Sequence, residues 1–286
     1  MAIIQLGDAF NRFFKGQGRY PKSRKKGRDD RFTLSNDQFR IDGQRIKIPN
    51  LGWVKMFEPL RFDGKTLSAK VFKKGGQWFV SVAVELAQVI QPKPKTGKSI
   101  GIDLGITDLL VLSNGMKIQA PKPLKTQLAK LRRLNKSLSR KQKGSNNREK
   151  AKTKLSRLHA KIGNIRSNSL HQITTYLVSE YDVLAIEDLN VSGMVKNRKL
   201  SRAISDLGFY ELKRQLIYKA NQWGKAVKSV DRFYPSTKTC HYCGHKVDEL
   251  PLSVRMWQCP SCHTQHDRDI NASMNILANA NNLLTA

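Results

Sequence analysis

The length, composition and charge of the chain exclude several classes of protein. Its 286 residues can bury a core, and an apolar fraction of 39% argues against disorder. Lysine and arginine outnumber aspartate and glutamate by 52 to 22, and this formal charge of +30 favours a polyanionic partner over a merely solvated surface. Because neither a membrane span nor a signal peptide is recognisable, we expect a cytoplasmic, nucleoid-associated protein that does not bind membranes.

The N-terminal part changes from a helical to a strand-like pattern. Residues 1–29 combine a short amphipathic segment, LGDAFNRFFKG, with a loop rich in lysine and glycine. From residue 31 to 90, short alternating runs separated by Asp-Gly and Gly-Gly predict a small β-barrel or sheet, which we assign to a domain of residues 30–92. The segment QPKPKTGK, residues 91–98, is typical of a linker.

Residues 121–180 combine a helical period with a basic surface. Leucines at 124, 128, 131, 134 and 138 predict one long helix, and a second apolar stripe from Leu155 to Leu177 predicts an antiparallel partner. Glu149 is the only acid between Lys117 and Arg166, whereas solvated helix surfaces normally mix charges. We therefore expect this hairpin to contact phosphates. The residues expected to bind nucleic acid are Arg132, Arg133, Lys136, Arg140, Lys141, Lys143, Arg148, Lys154 and Arg157.

The remaining segments predict a mixed α/β sheet. Apolar runs in SIGIDL, DVLAIE and KAVKSV are typical of strands, and they alternate with helical patterns in ISDLGFYELKRQLIYKANQWG and INASMNILANANNLL. We assign this part to residues 98–235 and 267–286, with a cysteine-rich insert at residues 236–266.

Three acids on separate elements are candidates for a metal site. Strand alternation puts Asp103 on the same face as Gly101 and Gly105, whose bare backbone we expect to let something bulky approach the carboxylate. Glu187 ends a second apolar strand, where ligands of open α/β sheets collect, and Asp269 lies at the start of the last helix. Converging carboxylates select Mg²⁺ or Mn²⁺, and two such ions can clamp the oxygens of a phosphodiester during hydrolysis.

Each acid also has a purely structural interpretation. Asp103 could begin a turn, Glu187 could pair with a basic side chain, and Asp269 could cap its helix. Asp188 falls on the opposite face from Glu187. Asp267 and Asp269 are two residues apart and would share one face of an extended chain. Spacing alone therefore does not show which of the two belongs to the metal site.

Four cysteines predict a structural zinc site. They form two C-x2-C pairs separated by fifteen residues, which is the spacing of a tetrahedral zinc site. The residues are Cys240, Cys243, Cys259 and Cys262. Disulfides would be unusual inside a cell, and although His241, His245, His263 and His266 could compete as ligands, four thiolates already complete the zinc shell. We expect the zinc to staple an insert that helps to position Asp269 or the nucleic acid facing it.

Several motifs, taken in order, resemble a known family. GIDLGI, IEDLN, DRFYPSTKTCHYCG, WQCPSC and HDRDINASMNI resemble the RuvC-like nuclease and zinc-ribbon region of transposon-encoded TnpB proteins, which are relatives of type V CRISPR effector nucleases. The resemblance implies an RNase H-like fold with an inserted zinc ribbon, preceded by a β-barrel wedge domain. It also implies that Asp103, Glu187 and Asp269 are catalytic and bind two Mg²⁺, and that a guide RNA directs cleavage of matching DNA. It favours Asp269 over Asp267.

The resemblance is incomplete at the N-terminus, where family members carry more of a helical recognition lobe. We expect only the last helix of that lobe, in residues 1–29, and a partner chain could supply the rest. The leading hypothesis is a Mg²⁺-dependent, RNA-guided DNA endonuclease. The alternatives are a shortened accessory subunit that binds guide RNA or a partner chain and cleaves poorly, and an RNA-binding structural protein. Asn168 stands where the family has aspartate, and no role is assigned to it.

Overall fold

The computed structural model describes residues 2–23, 27, 30–86 and 92–285, and the chain divides into two compact units. The first unit comprises Met1–Val89 and Leu134–Ala160, and the second comprises Ile90–Arg133 and Lys161–Ala286. Residues 134–160 of the basic hairpin thus group with the N-terminal strands. Part of the expected basic loop, residues 24–26 and 28–29, lies outside the described residues, as do residues 87–91 between the strands and the linker.

The described residues form helices and strands that follow the sequence patterns closely. The helices are α1 (Ala2–Phe14), α2 (Pro123–Thr126), α3 (Leu128–Ser139), α4 (Asn146–Glu180), α5 (Val191–Met194), α6 (Ser201–Leu207), α7 (Phe209–Gln222) and α8 (Arg268–Thr285). The strands are β1 (Arg31–Ser35), β2 (Arg40–Asp42), β3 (Arg45–Ile48), β4 (Gly52–Lys55), β5 (Lys65–Lys74), β6 (Gln77–Glu85), β7 (Ser99–Leu104), β8 (Leu110–Leu112), β9 (Lys117–Ile118), β10 (Val183–Glu187), β11 (Ala226–Val230), β12 (Met256–Gln258) and β13 (Gln265–Asp267). None of the described helices is long and apolar enough to cross a membrane.

The first unit contains two antiparallel three-stranded sheets. Their strand orders are β1-β5-β6 and β2-β3-β4, and the alternating patterns direct one side chain in two into a shared apolar core. Leu34, Ile46 and Val71 are buried in that core. The prediction of strands in this region is confirmed. Closure of these strands into a barrel stays a prediction.

The predicted helical hairpin exists, but its first helix is interrupted. A single helix through Leu124 and Leu138 is wrong, because α2 ends at Thr126 and α3 begins at Leu128. The buried carboxylate of Asp206 accepts hydrogen bonds from the backbone N–H groups of Leu124 and Lys125 at 2.9 and 3.0 Å and so fixes the start of α2. Gln127 separates the two helices. The second stripe forms α4 as predicted.

The second unit is built on a five-stranded mixed sheet with helices on both faces. The strand order is β11-β10-β7-β8-β9, in which β11, β10 and β7 are parallel and β7, β8 and β9 form an antiparallel meander. One face buries Ile102 and Ile186 in a core that also contains apolar residues of α4, α6 and α7. The other face packs Ala185 and Val230 against Ile276 of α8. The predicted mixed α/β sheet is confirmed.

Helix α8 approaches the sheet most closely at Gly101. A β-carbon at residue 101 would lie 1.9 Å from the backbone oxygen of Ser273 and 2.9 Å from the Cβ of Leu277. A β-carbon at Gly105 would lie 2.6 Å from the backbone oxygen of Asp108. The bulky group that the bare backbone of these glycines admits is therefore part of the protein itself, namely α8 at Gly101 and the loop after β7 at Gly105.

This close approach predicts that Gly101→Ala destabilises the second unit. The new methyl group must push α8 away from β7, and overpacking of this kind costs about 1–3 kcal/mol or more. The matched control is Gly163→Ala in α4, where a β-carbon meets nothing within 4 Å and helix propensity should add up to about 1 kcal/mol. Thermal unfolding of the two variants measures the difference. Equal melting temperatures would contradict the packing described here.

Candidate metal centres and nucleic-acid contacts

The ends of two neighbouring strands place two acids side by side. The parallel register pairs Ile102 of β7 with Ile186 of β10, so the following residues, Asp103 and Glu187, are neighbours on the face covered by α8. Asp269 lies in the first turn of α8. The structure therefore gathers the three acids predicted from the sequence at one edge of the sheet, and we refer to them as the acid site.

The charges of the acid site act on one another. The pKa of Asp103 is raised to about 7, chiefly by burial and then by the negative charges of Glu187 and Asp269, against a smaller lowering by Arg268. Burial also raises the pKa of Glu187. None of the salt bridges within the described ranges involves Asp103 or Glu187. The alternative interpretation of Glu187, a structural pairing with a basic side chain, is therefore not observed among the described residues.

The two competing acids have structural roles instead. Asp188 faces the other way, with its carboxylate 2.6 Å from Lys213 Nζ and 3.0 Å from the Arg232 guanidinium. Asp267 precedes α8 and accepts hydrogen bonds from the backbone N–H groups of Asp269 and Ile270. The interpretation of Asp269 as the helix cap is therefore wrong, because Asp267 takes that position and leaves the Asp269 side chain to other contacts.

The carboxylate of Asp269 accepts hydrogen bonds from Arg255 Nη1 at 3.1 and 3.3 Å. Among the described residues, only the cysteine cluster brings three or more candidate ligand atoms within 4.8 Å of one another. The charges of the three acids thus interact, but their carboxylate oxygens do not all lie within 4.8 Å of one another. Its chemistry nevertheless suits Mg²⁺ or Mn²⁺, since it offers hard carboxylate oxygens and two of its three acids lack a cationic partner.

The four cysteines form the cluster that the spacing predicts. Their sulfur atoms all lie within 4.8 Å of one another, and no disulfide joins them. Cys240 and Cys262 are 3.7 Å apart at Sγ, and Cys243 and Cys259 are 3.6 Å apart. Tetrahedral zinc with Zn–S bonds of about 2.3 Å requires sulfur atoms roughly 3.8 Å apart. The cluster could therefore bind zinc with little rearrangement.

Of the four nearby histidines, His266 lies against the cluster without being needed as a ligand. Its Nε2 is 3.0 Å from the Sγ of Cys240, and its ring contacts that of Trp257 at 4.9 Å between centroids. A ring N–H in this position can donate to a thiolate and orient it. Gly244 and His263, which directly follow the second cysteine of each pair, have φ angles of 76° and 58°, and these left-handed residues reverse the chain around the sulfur atoms.

Two buried asparagines connect the cysteine-rich insert to α8. Asn271 Nδ2 donates to the carbonyl of Thr239 at 2.7 Å, and its oxygen accepts from the backbone N–H of His241 at 2.9 Å. Asn275 Nδ2 donates to the carbonyls of Ser236 and Thr239. Sequence reasoning missed both residues. Their four-residue spacing on the predicted helix was an available signal, since it places both amides on one face.

Most of the predicted nucleic-acid contacts are exposed on α3, α4 and the turn between them. The exposed residues are Arg132, Arg133, Lys136, Arg140, Lys143, Lys154 and Arg157, whereas Lys141 is half-buried. Arg148 differs, because its Nη1 donates to the carbonyls of Leu138 and Lys141, each at 2.8 Å, and so satisfies the C-terminal end of α3. Its guanidinium is therefore partly committed to the fold.

Basic residues also surround a cavity that sequence reasoning missed. It has a volume of about 350 Å³, an apolar floor that includes Ile106 and Leu207, and four basic residues in its lining. These are Lys122, Lys125, Lys199 and Arg202. They come from two segments distant in sequence, residues 122–125 and 199–202, which the hydrogen bonds from α2 to Asp206 of α6 hold together.

Comparison with known proteins places the chain in a family. Residues 80–198 match the OrfB_IS605 family, described as "Probable transposase", and residues 209–276 match the TNB domain of Cas12f1-like proteins. A Streptomyces pristinaespiralis protein named as a candidate RNA-guided DNA endonuclease is 41% identical over 97% of this chain and 69% of its own length. A similarly named Escherichia coli K12 protein, InsQ, is 33% identical over 97% of this chain and 72% of its own. The chain therefore belongs to the TnpB family.

A solved structure supports the fold. In a Cas12f1-sgRNA-target DNA complex, the nuclease chain superimposes with a TM-score of 0.54 at 19% identity, covering 74% of this chain and 45% of that one. At this identity the likeness concerns the fold alone. It confirms the mixed α/β architecture predicted from the sequence.

The cysteine geometry predicts one tightly held zinc per chain. Cys259→Ser should lower the zinc content, measured by elemental analysis, and lower the melting temperature, because a structural zinc contributes directly to folding. Ser253→Ala, in the same insert but outside the cysteine cluster, is the matched control and should keep its zinc. Purified wild-type protein with far less than one zinc per chain would refute the site.

The raised pKa of Asp103 predicts a pH-dependent effect of Asp103→Asn on stability. The folded protein holds this proton more tightly than the unfolded chain, so ionisation costs folding free energy that is absent below about pH 4 and complete above about pH 7. In EDTA, the variant should therefore gain stability relative to wild type across this interval, by at most about 4 kcal/mol. Added Mg²⁺ should stabilise wild type and reverse the order. A pH-independent difference in EDTA would contradict the coupling of the acids.

Proposed function

We propose that the protein is an RNA-guided DNA endonuclease that hydrolyses phosphodiester bonds at the acid site. The carrying observation is that Glu187 and Asp269 both raise the pKa of Asp103, although the three residues come from distant parts of the chain. A protein that only binds a polyanion gains nothing from three acids at one edge of a sheet, two of them buried without a cationic partner. The names of the relatives at 41% and 33% identity support the same activity.

In this proposal, Asp103, Glu187 and Asp269 hold two Mg²⁺ or Mn²⁺ ions. When bound, such ions activate water and stabilise the charge that develops on the phosphate. The strands β7 and β10 fix two of the carboxylates, and α8 carries the third. Asp269 would give up its contact with Arg255 to hold a metal ion. Asp188 takes no part because it faces away from the site and contacts Lys213 and Arg232. Asp267 takes no part because its carboxylate caps α8 and pairs with Lys117.

The proposed domain assignments rest on the family resemblance together with the position of the acid site. The five-stranded sheet with α8 is the RuvC-like, RNase H-like nuclease domain, residues 98–235 and 267–286. The insert at residues 236–266 is a zinc ribbon whose single zinc is structural, because four cysteines leave no open position. The strands of residues 30–92 correspond to the wedge domain, and α1 belongs to the recognition lobe.

The partners are a guide RNA and a target DNA. A formal charge of +30 provides the counter-charge for two nucleic acids, and the exposed cations of α3 and α4 and the cavity lined by Lys199 and Arg202 are the proposed phosphate contacts. These contacts position the strands without reading their sequence. Sequence specificity is delegated to base pairing with the RNA.

This function predicts that Asp103→Ala abolishes DNA cleavage while RNA binding persists. The assay is cleavage of matched DNA by purified protein with Mg²⁺ and the RNA encoded beside the gene, and the expected loss is about a hundredfold or more. Glu149→Gln, which removes an exposed acid of α4, is the matched control and should cleave normally. Equal cleavage by wild type and Asp103→Ala would overturn the acid site. RNA binding by wild type without cleavage would identify an accessory RNA-binding protein instead.

A further inference from the structure

The sheet β1-β5-β6 has one face whose composition is unusual. One side of this sheet is the apolar core, and the other carries cations, hydroxyl groups and two phenylalanines; we call it the polar face. Its residues, taken from the strand pairing, are Arg31, Thr33, Ser35, Ser68, Lys70, Phe72, Lys74, Gln77, Phe79, Ser81, Ala83 and Glu85. Phe72 and Phe79 are the only large apolar side chains in this set.

Phe72 and Phe79 form an aromatic pair across the two strands. They are direct partners in the register of β5 and β6, with ring centroids 5.7 Å apart and an angle of 20° between the ring planes. Phe79 is 43% exposed. Phenylalanine side chains usually lie in the apolar core. In this sheet the neighbouring residues, Val71 and Val80, pack in the core on the opposite face instead.

Cations surround the aromatic pair. Arg31 is the partner of Phe72 on β1, and Lys70 lies one row further along the same face, paired with Ser81. A cavity of about 320 Å³ lies here, lined by Asp30, Arg31, Lys70, Phe72, Lys73 and Ser81, which is a volume suited to a small ligand group. In the described ranges, no salt bridge involves Arg31 or Lys70, and Asp30 accepts a hydrogen bond from the Gly27 backbone N–H.

We propose that the polar face binds an unpaired nucleotide of RNA, with its base stacked on the aromatic pair and its phosphate held by Arg31 and Lys70. Unpaired bases stack on exposed aromatic rings, and this contact tolerates any base because each has a π face. The hydroxyl groups of Thr33 and Ser81 provide partners for the ribose and the base edges. The choice of RNA over DNA rests on the proposed function.

A protein partner fits this face poorly. The buried centre of a protein interface is apolar and poor in charged residues, whereas here two rings stand among cations and hydroxyl groups. Helix α1 contributes a hydrogen bond from Gln5 Nε2 to Thr33 Oγ1 at 3.3 Å on the β1 side. The cavity lining contains three basic residues, Arg31, Lys70 and Lys73, against one acid, Asp30. Planar rings beside this excess of positive charge match a base and its phosphate.

The test uses neighbouring aromatic residues of β6 that face opposite sides of the sheet. Trp78 is 56% exposed and contacts Lys73, so it is a matched control for Phe79. Binding of the full chain to an unstructured RNA oligonucleotide is measured at 300 mM salt, where phosphate contacts are weakened. Phe79→Ala should weaken binding by roughly 5- to 150-fold, as expected for one lost stacking contact. Phe79→Tyr should retain affinity, and Trp78→Ala should change it less than about twofold.

Photocrosslinking of the protein with its copurified RNA identifies the occupant. We expect a ribonuclease-sensitive adduct on the peptide that contains Phe72 and Phe79, lost in Phe79→Ala and kept in Trp78→Ala. A deoxyribonuclease-sensitive adduct at this peptide, or equal losses of affinity in Phe79→Ala and Trp78→Ala, would overturn the proposal. RNA crosslinked only elsewhere would also overturn it while leaving the RNA-guided function intact. An absence of copurified RNA would count against both.

Discussion

The packing of α8 against β7 is the constraint on which the rest of the second unit depends. Gly101 removes the side chain that would separate the helix from the strand, so the backbone of Ser273 can lie directly on the sheet. This contact brings the first turn of α8, and with it Asp269, to the strand ends that carry Asp103 and Glu187. A larger residue at position 101 would move one acid away from the other two.

The acids of the second unit fall into two electrostatic groups. Asp188, Asp206 and Asp267 have basic or backbone donors at hydrogen-bond distance, and these contacts order local structure. Asp103 and Glu187 form none of the salt bridges of the described residues, and burial raises the pKa of each. Only Asp269 of the acid site has a basic partner, the exposed Arg255. Two buried carboxylates thus remain without a cationic partner where a divalent cation is proposed to bind, as is common at functional sites.

Local pattern was enough to predict most elements, because strand alternation and helical stripes record which face is buried. It also predicted the cysteine cluster, since ligand spacing is a local property. The sequence predicted a close approach at Gly101 without identifying α8, because it shows that the backbone is bare without showing what covers it. The anchoring of α2 by Asp206 and the cavity around Lys199 both depend on partners distant in sequence. These are the contacts that periodicity does not encode.

The position of α8 near the C-terminal end of the described residues affects when the acid site is completed during synthesis. Strands β7 and β10 leave the ribosome long before residues 268–285, so a nascent chain carries Asp103 and Glu187 without Asp269. Asn271 and Asn275 anchor α8 to the cysteine-rich insert, which is synthesised just before it. Under the proposed function, the nuclease therefore stays inactive until α8 has been synthesised and has packed against the sheet. This delay prevents DNA cleavage by an incomplete chain.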